Sequence, residues 1–307
     1  NYRKVDSTGW IPIDFSINTN NSYLNVLPID PINDETYYYT YYPGGSYVLT
    51  TQLANANSIS INDNGDSGIL YETGTPNYTS MPVVRDSSLV GYWSFDEGSG
   101  ATTYDKSGHG RTGTLNGPEW IELSSGEKVL YYDVNAADYV STTAASILNT
   151  GIITVEAWMK SQIQSAQYQQ IFVHGARDVA VGFIYFFRNT GSNTIMYEYA
   201  NGSAHPEMQA ANYFLNLDNQ WIYIVAVVDY SNKIGKFYRN GVQFSTDQTL
   251  TGNPVFPSGS SVEYIGARIS YADKIKDGYI DDLKIYNRGL SASEIESRYN
   301  KTRSKYQ

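Results

Sequence analysis

Carboxylates gather in two short stretches that lie far apart along the chain. Asp96, Glu97 and Asp105 fall within GYWSFDEGSGATTYDKSGHGRTGTL, from Gly91 to Leu115, and Asp281 and Asp282 within GYIDDLKIYNRGLSASEI, from Gly278 to Ile295. Oxygen donors of this kind suit calcium, which takes about six to eight oxygens and tolerates irregular geometry. Parity singles out Asp281. In an alternating strand it shares a face with Leu283 and Ile285, and an inward carboxylate is costly unless paired, hydrogen-bonded or metal-bound. Its alternative role is to accept hydrogen bonds from N–H groups of the Asp105–Gly110 turn. Asp282, of opposite parity, faces solvent in this reading and is the lesser ligand. Asp63 and Asp66 form a third acidic pair in NDNGDSG, from Asn62 to Gly68, a composition that equally favours a plain solvated turn.

Ligand recognition has its own candidates in GFIYFFRNTGSNTIMYEYANGSAH, from Gly182 to His205. Two strands flanking a turn at Gly191 are expected to set Tyr185, Phe187, Tyr197 and Tyr199 on one face. Aromatic rings stack on the C–H faces of sugars while polar groups such as Arg188, Asn201 and His205 read hydroxyls. About half of these side chains must instead fill a core, and the sequence leaves open which half.

Catalytic signatures are thin. Gly108-His109-Gly110-Arg111-Thr112-Gly113 satisfies a dinucleotide-binding pattern, but that pattern has meaning only between a strand and a helix N-terminus. Here it follows a polar turn with no helical periodicity after it. There is no G-x-S-x-G, H-E-x-x-H or P-loop, and His109, His174 and His205 are too scattered to imply a shared site. Glu156 lies in TVEAWMK without an acidic neighbour on the same strand, so its expected role is structural. No catalytic residue is assigned, and the chain reads as a non-enzyme.

Composition narrows the partners. Thirty-one acidic against 21 basic residues give a net charge of −10, which disfavours nucleic acid and its phosphate backbone. Hydrophobic content of 41% with 17% charged residues describes a folded chain, and 29 tyrosines suit sheet surfaces and wet recognition sites. No Cys is present, so neither disulfides nor thiolate metal sites arise. No apolar run reaches the length of a membrane span, and none reads as a signal peptide. The chain starts at Asn1 rather than Met, as expected of a processed or trimmed piece of something longer.

These groups must be positioned mainly by strands. The Pro- and Ser-containing segment Thr73–Ser88 reads as a boundary, dividing the chain into a small unit (1–75), a linker (76–88) and a large unit (89–307). In the small unit, alternating Tyr37, Tyr39 and Tyr41, a Pro43-Gly44-Gly45 turn and Tyr47–Leu53 predict a hairpin. The large unit is a run of short strands typical of a sandwich. Trp221–Val228, apolar on both faces, predicts a central strand, and Asn240-Gly241 predicts a tight hairpin turn. One helix is expected, opened by a capping box of Ser291 and Glu294, stapled by Leu290 on Ile295, and ending near Asn300.

The Gly91–Leu115 stretch resembles the opening strand and acidic turn of LamG-like (concanavalin A-like/laminin G) jelly rolls, and Gly278–Ile295 resembles their closing strand and final helix. TVEAWMK, QWIYIVAVVDY and KFYRNGVQFS fall between them in the family's order, so the resemblance covers about residues 86–300. It implies a concanavalin-like β-sandwich whose first and last strands are neighbours, with a structural calcium at Asp281, and with Asp96, Asp105 and Asp282 near it. Trp10–Leu53, above all LPIDP before the Tyr-rich hairpin, is similar to the soluble head of type IV pilins and pseudopilins, without their N-terminal hydrophobic helix. Pseudopilins hold calcium after this hairpin, where Asp63 and Asp66 stand. Together the resemblances imply an extracellular, bacterial-type, filament-associated adhesion protein. Its expected partners are a glycan or surface protein and other pilin-like subunits. A ligand-free structural filament subunit and a jelly-roll carbohydrate-active enzyme are the alternatives.

Overall fold

The computed structural model describes residues 39–43, 47–52, 70–74, 86–133, 138–143, 150–162, 168–175, 182–256, 262–268 and 273–306. The chain divides into two compact units, Asn1–Val84 and Arg85–Gln307. In the first, Tyr39–Pro43 pairs antiparallel with Tyr47–Gln52, which pairs in turn with Leu70–Gly74. The expected Tyr-rich hairpin is therefore present, with Pro43 opposite Tyr47.

The second unit is a β-sandwich. Among the described residues one sheet has nine strands, its main path running Val242–Gln243, Ile234–Arg239, Trp221–Asp229, Ile152–Ser161, Gly278–Tyr286, Lys128–Tyr132 and Glu119–Glu122. The other has eight, running Glu207–Ala210, Thr194–Tyr199, Ile184–Asn189, Tyr168–His174, Val262–Ile265, Tyr139–Thr143, Gly113–Asn116 and Thr102–Thr103. All pairings are antiparallel, and the opening strand Leu89–Trp93 lies beside the closing strand Gly278–Tyr286 as expected.

Alternation assigns the faces. Val155, Ala157, Met159, Ile224, Ala226, Leu283 and Ile285 of the first sheet meet Phe172, Ile184, Phe186, Tyr197 and Ile265 of the second in the main core. Trp221–Asp229 is an interior strand buried over most of its length, because its outward residues are covered too. That cover is the helix Ala292–Thr302, whose capping box at Ser291 and Glu294 forms as expected. Leu290, Ile295 and Tyr306 join Trp158, Tyr223 and Tyr286 in a second apolar cluster. We call this the helix-backed sheet. The Asn240-Gly241 turn takes φ values of 50° and 83°, the double left-handed geometry that closes a two-residue hairpin.

Candidate glycan cleft and the buried carboxylates

The hairpin expected from the Tyr-rich segment forms, but its two strands share their aromatics differently. Tyr185 stands opposite Glu198 and Phe187 opposite Met196, whereas Phe186 stands opposite Tyr197 and Ile184 opposite Tyr199. Four residues separate the strands, Thr190 to Asn193, so facing positions have opposite parity and the Tyr199 and Tyr197 rings turn inward. Tyr197 hydrogen-bonds Tyr230 at 2.9 Å in the core, and the Tyr199 hydroxyl donates to the Thr251 carbonyl at 2.9 Å. Arg188 also points inward, donating to Ser161 and Asp218 and lying 4.5 Å from the Phe214 ring. Tyr197, Tyr199 and Arg188 are thus core residues and not ligand contacts. Asn201 is spent on its own turn, accepting from the N–H groups of Ser203 and Ala204.

Tyr185 and Phe187 remain on the outer face of the second sheet, in an apolar cluster with Val173, Phe183, Met196 and Tyr264. There they floor a cleft of about 100 Å³, rimmed by Tyr168, Gln170, Glu198, Glu207, Arg268 and Asp273. Tyr168 is 44% exposed and meets Phe187 edge-on at 5.4 Å. Gln170, only 2% exposed, has an Oε1 that accepts no hydrogen bond. Arg268 Nε lies 2.8 Å from Asp273, and the half-exposed His205 sets Nδ1 2.9 Å from Glu198 Oε1. An aromatic floor with a polar rim can hold a sugar ring by stacking and by hydroxyl contacts.

Of the six ligand residues expected from sequence, Tyr185 and Phe187 line this cleft and His205 stands beside it. Gln170, Glu198, Arg268 and Asp273 were missed. Glu198 and Gln170 carried a usable signal, since each is a polar residue inside an otherwise apolar strand, TIMYEY and YQQIFVH.

The acidic groups at the domain ends are arranged otherwise than parity implies. The closing strand has a bulge opposite Ala157, between the pairs Glu156–Lys284 and Trp158–Asp281, where Asp282 takes φ 50°. One extra residue reverses the alternation. Leu283 and Ile285 stay in the inter-sheet core, while Asp281 turns to the helix-backed face and its Oδ2 accepts from the Tyr306 hydroxyl. Asp282 does not face solvent. It is buried, accepting from Tyr92 at 2.9 Å, with Lys284 at 3.4 Å and Lys305 at 3.8 Å. Asp105 accepts from the backbone N–H groups of Tyr92, Ser107 and Arg111 at 2.9–3.1 Å, so the turn is organised by its own aspartate. Asp96 pairs with Lys106 at 2.7 Å on the surface, and Glu97 accepts from the Tyr104 N–H. Among the described residues no three of His, Asp and Glu group as ligands for one ion. Most oxygens at the junction of first and last strands are thus matched by hydroxyls, ammoniums and N–H groups; Asp281 Oδ1 and Glu97 Oε2 are buried without a hydrogen-bond partner, and among the described residues no third carboxylate or imidazole joins Asp281 and Asp282 in a shared calcium site. Asp63 and Asp66 lie outside the described residues.

Burial, and then the neighbouring Asp282 charge, push the Asp281 carboxyl well above its ordinary value. Burial also opposes the Asp282 charge, but Lys284 and Lys305 outweigh it and hold that carboxyl below its ordinary value. The two therefore have opposite linkage. Asp281 contributes stability that is complete below the unfolded carboxylate value, about 4, and is lost as pH rises through its raised native value. Asp282 contributes stability that is complete above about 4 and is lost as pH falls through its lowered native value. In urea unfolding at pH 4, 5.5 and 7, Asp281→Asn is expected to gain on the parent as pH rises. Asp282→Asn should cost about 1–3 kcal/mol at pH 7, a gap that closes below pH 4. The reverse order would refute the assignment.

Glu156 has the structural role expected of it. Its buried carboxylate accepts from Tyr223 at 2.6 Å and Tyr286 at 3.3 Å, with Arg298 of the helix 4.0 Å away. The glycine-rich pattern ends in the strand Gly113–Asn116 and not in a helix, in line with its rejection as a nucleotide loop.

Comparison with known proteins agrees with this architecture. A family model described as the Concanavalin A-like lectin/glucanases superfamily (Laminin_G_3) matches residues 134–296. No curated protein matches the chain. Among solved structures, the binding domain of botulinum neurotoxin serotype D is similar at TM-score 0.55 and 14% identity, over 70% of this chain and 52% of that one. The binding domain of serotype G gives 0.56 and 15%, over 69% and 50%. The binding domain of Paraclostridial Mosquitocidal Protein 1 gives 0.55 and 13%, over 69% and 52%. This chain spans about half the length of each, and at such identity the likeness speaks to fold alone. With residues 134–296, just over half of its 307, matched by the family model, the chain belongs to the concanavalin A-like lectin/glucanases superfamily.

Proposed function

We propose that the second unit is an extracellular recognition domain that binds glycan in the cleft floored by Tyr185, Phe187 and Met196. The observation that carries this reading is the aromatic floor of Tyr185 and Phe187 beside the exposed Tyr168, bordered by the polar side chains of Gln170, Glu198 and Glu207. A sugar ring covers the aromatics while its hydroxyls meet the polar rim. Similar folds give support by analogy only: one is the botulinum neurotoxin serotype D ligand-binding domain in complex with N-acetylneuraminic acid, another that of toxin type C, whose cell entry depends on interaction with two ganglioside molecules. The first unit, with its Tyr-rich hairpin, is read as a pilin-like head that presents the domain on a filament. Repetition along a filament would let weak single sites hold a surface.

A panel of immobilised neutral, amino and acidic oligosaccharides, followed by calorimetric titration, tests the reading. Saturable binding is expected; no binding at millimolar sugar would refute it. A hydrolytic alternative draws on Glu198 and Glu207, which face each other across adjacent strands in the same cleft. The binding reading predicts that a bound oligosaccharide is recovered intact after long incubation. Calcium enters only through the unpartnered Oδ1 of Asp281. Burial and the Asp282 charge favour the protonated form of that carboxyl, so calcium and chelator should leave the melting temperature unchanged, and a calcium-dependent rise lost in Asp281→Ala would replace the proton with an ion.

A further inference from the structure

We propose that the cleft selects sugars bearing a protonated amine over neutral sugars and rejects acidic ones. This rests on the glycan reading above and sharpens it. Among the described residues that line the cleft, carboxylates outnumber cations. Glu198 is 4% exposed, and Glu207 stands directly across the strand pair from it. Asp273 adds a third carboxylate. The one lining cation among the described residues, Arg268, is held 2.8 Å from Asp273, so its charge is largely spent within the rim. Among the described residues, three lining carboxylates against one guanidinium give a formal charge of −2.

Ionised carboxylates accept and never donate. A ligand for this wall must therefore bring donors, and the best donor for a partly desolvated carboxylate is a cation. An ammonium on a hexosamine supplies three N–H donors and one positive charge on a ring whose C–H face still suits Tyr185 and Phe187. A neutral hexose supplies hydroxyl donors without the charge. A sialic acid adds a carboxylate that must approach Glu198 and Glu207, and like charges brought together in a partly dry cleft repel. The cleft thus differs in sign from what an acidic sugar requires.

The test compares three soluble probes by calorimetry with the whole chain: a glucosamine tetramer, an N-acetylglucosamine tetramer and sialyllactose. We expect the glucosamine tetramer to bind at least tenfold tighter than its acetylated counterpart and sialyllactose not to bind. The preference should shrink as salt rises, because screening weakens charge contacts and leaves stacking intact. Glu207→Gln, at an exposed position where folding is not at stake, should lower the glucosamine preference severalfold; Glu198→Gln should lower it further. Tetralysine controls for general attraction to a chain of charge −10 and should bind more weakly than the amino sugar. Equal or tighter binding of the acetylated or sialylated probe would overturn the selectivity while leaving glycan binding standing. Tetralysine as strong as the glucosamine tetramer would overturn the amino-sugar assignment. Absence of all sugar binding would overturn both.

Discussion

Glu263→Gln is expected to lower the stability of the second unit by about 3–5 kcal/mol, the cost of removing one partner from a buried ion pair. Glu263 is fully buried, and both its oxygens lie 3.2 Å from Arg111 Nη1, with His174 Nδ1 3.2 Å from Oε1. Arg111 is equally enclosed, 5.3 Å from the Trp93 ring, while its carbonyl accepts from Trp93 Nε1 and Thr142 Oγ1. Its Nη2 leaves no room above Gly91, where an added Cβ would stand 2.5 Å away. The pair therefore joins the Asp105 turn to the strand Val262–Ile265, and neutralising Glu263 leaves a guanidinium that cannot move to water with only Asp105 Oδ2, 3.9 Å from its Nε, as counter-charge. At about 2–4 °C per kcal/mol for a domain of this size, the melting temperature should fall by about 10 °C. Replacing both partners, as Arg111→Met with Glu263→Leu, should recover much of the loss, because the penalty lies in the unpaired charge. Lys106→Ala, which breaks the exposed pair with Asp96, should change stability by less than about 1 kcal/mol. A loss no larger for Glu263→Gln than for Lys106→Ala would show that the buried cluster does not hold the strands.

The second large effect concerns binding. Tyr168→Ala should weaken glycan affinity by about ten- to a hundredfold, which is about 1.4–2.8 kcal/mol, in the range of an aromatic hot spot. Tyr168 is the exposed aromatic of the rim, so its removal takes away a stacking surface while the floor of Phe187 and Tyr185 stays in place. Stability should change little, since a largely open side chain contributes little to the core. Tyr197→Phe should behave oppositely. It loses a buried hydrogen bond to Tyr230, about 1 kcal/mol of stability, with affinity preserved. Calorimetric titration and thermal melts of the two variants separate the roles, and an unchanged affinity in Tyr168→Ala would remove the cleft from the account.

The same residues mark how far the sequence could be read. The sandwich, the Asn240-Gly241 turn and the Ser291–Glu294 capping box were legible because each depends on local chemistry or on alternation within one element, whereas the neighbouring first and last strands followed from the resemblance to LamG-like jelly rolls. What failed depended on register between elements. The four-residue connection after Asn189 decides whether Tyr197 faces the cleft or the core, and loop length is not legible when Thr, Gly, Ser and Asn can belong to turn or strand. A single bulge at Asp282 turned Asp281 away from the face that it shares with Leu283 by counting, and a non-glycine residue at positive φ leaves no compositional trace. Arg188 looked like a sugar-reading group because a charged residue seldom lies fully buried. Its partners, Ser161 and Asp218, come from distant strands and loops. The cleft's far wall, Arg268 and Asp273, comes from a connection with no motif at all.

Methionine methyl NMR offers the most direct test of the central claim, that glycan occupies this cleft. Four methionines are present; Met196 lines the cleft, and Met159 and Met208 lie in the inter-sheet core. On titration with the tightest-binding oligosaccharide of the panel, the Met196 methyl resonance should shift with the calorimetric Kd while those of Met159 and Met208 stay in place. Saturation by calorimetry with an unmoved Met196 methyl would contradict the account and place the sugar elsewhere on the domain.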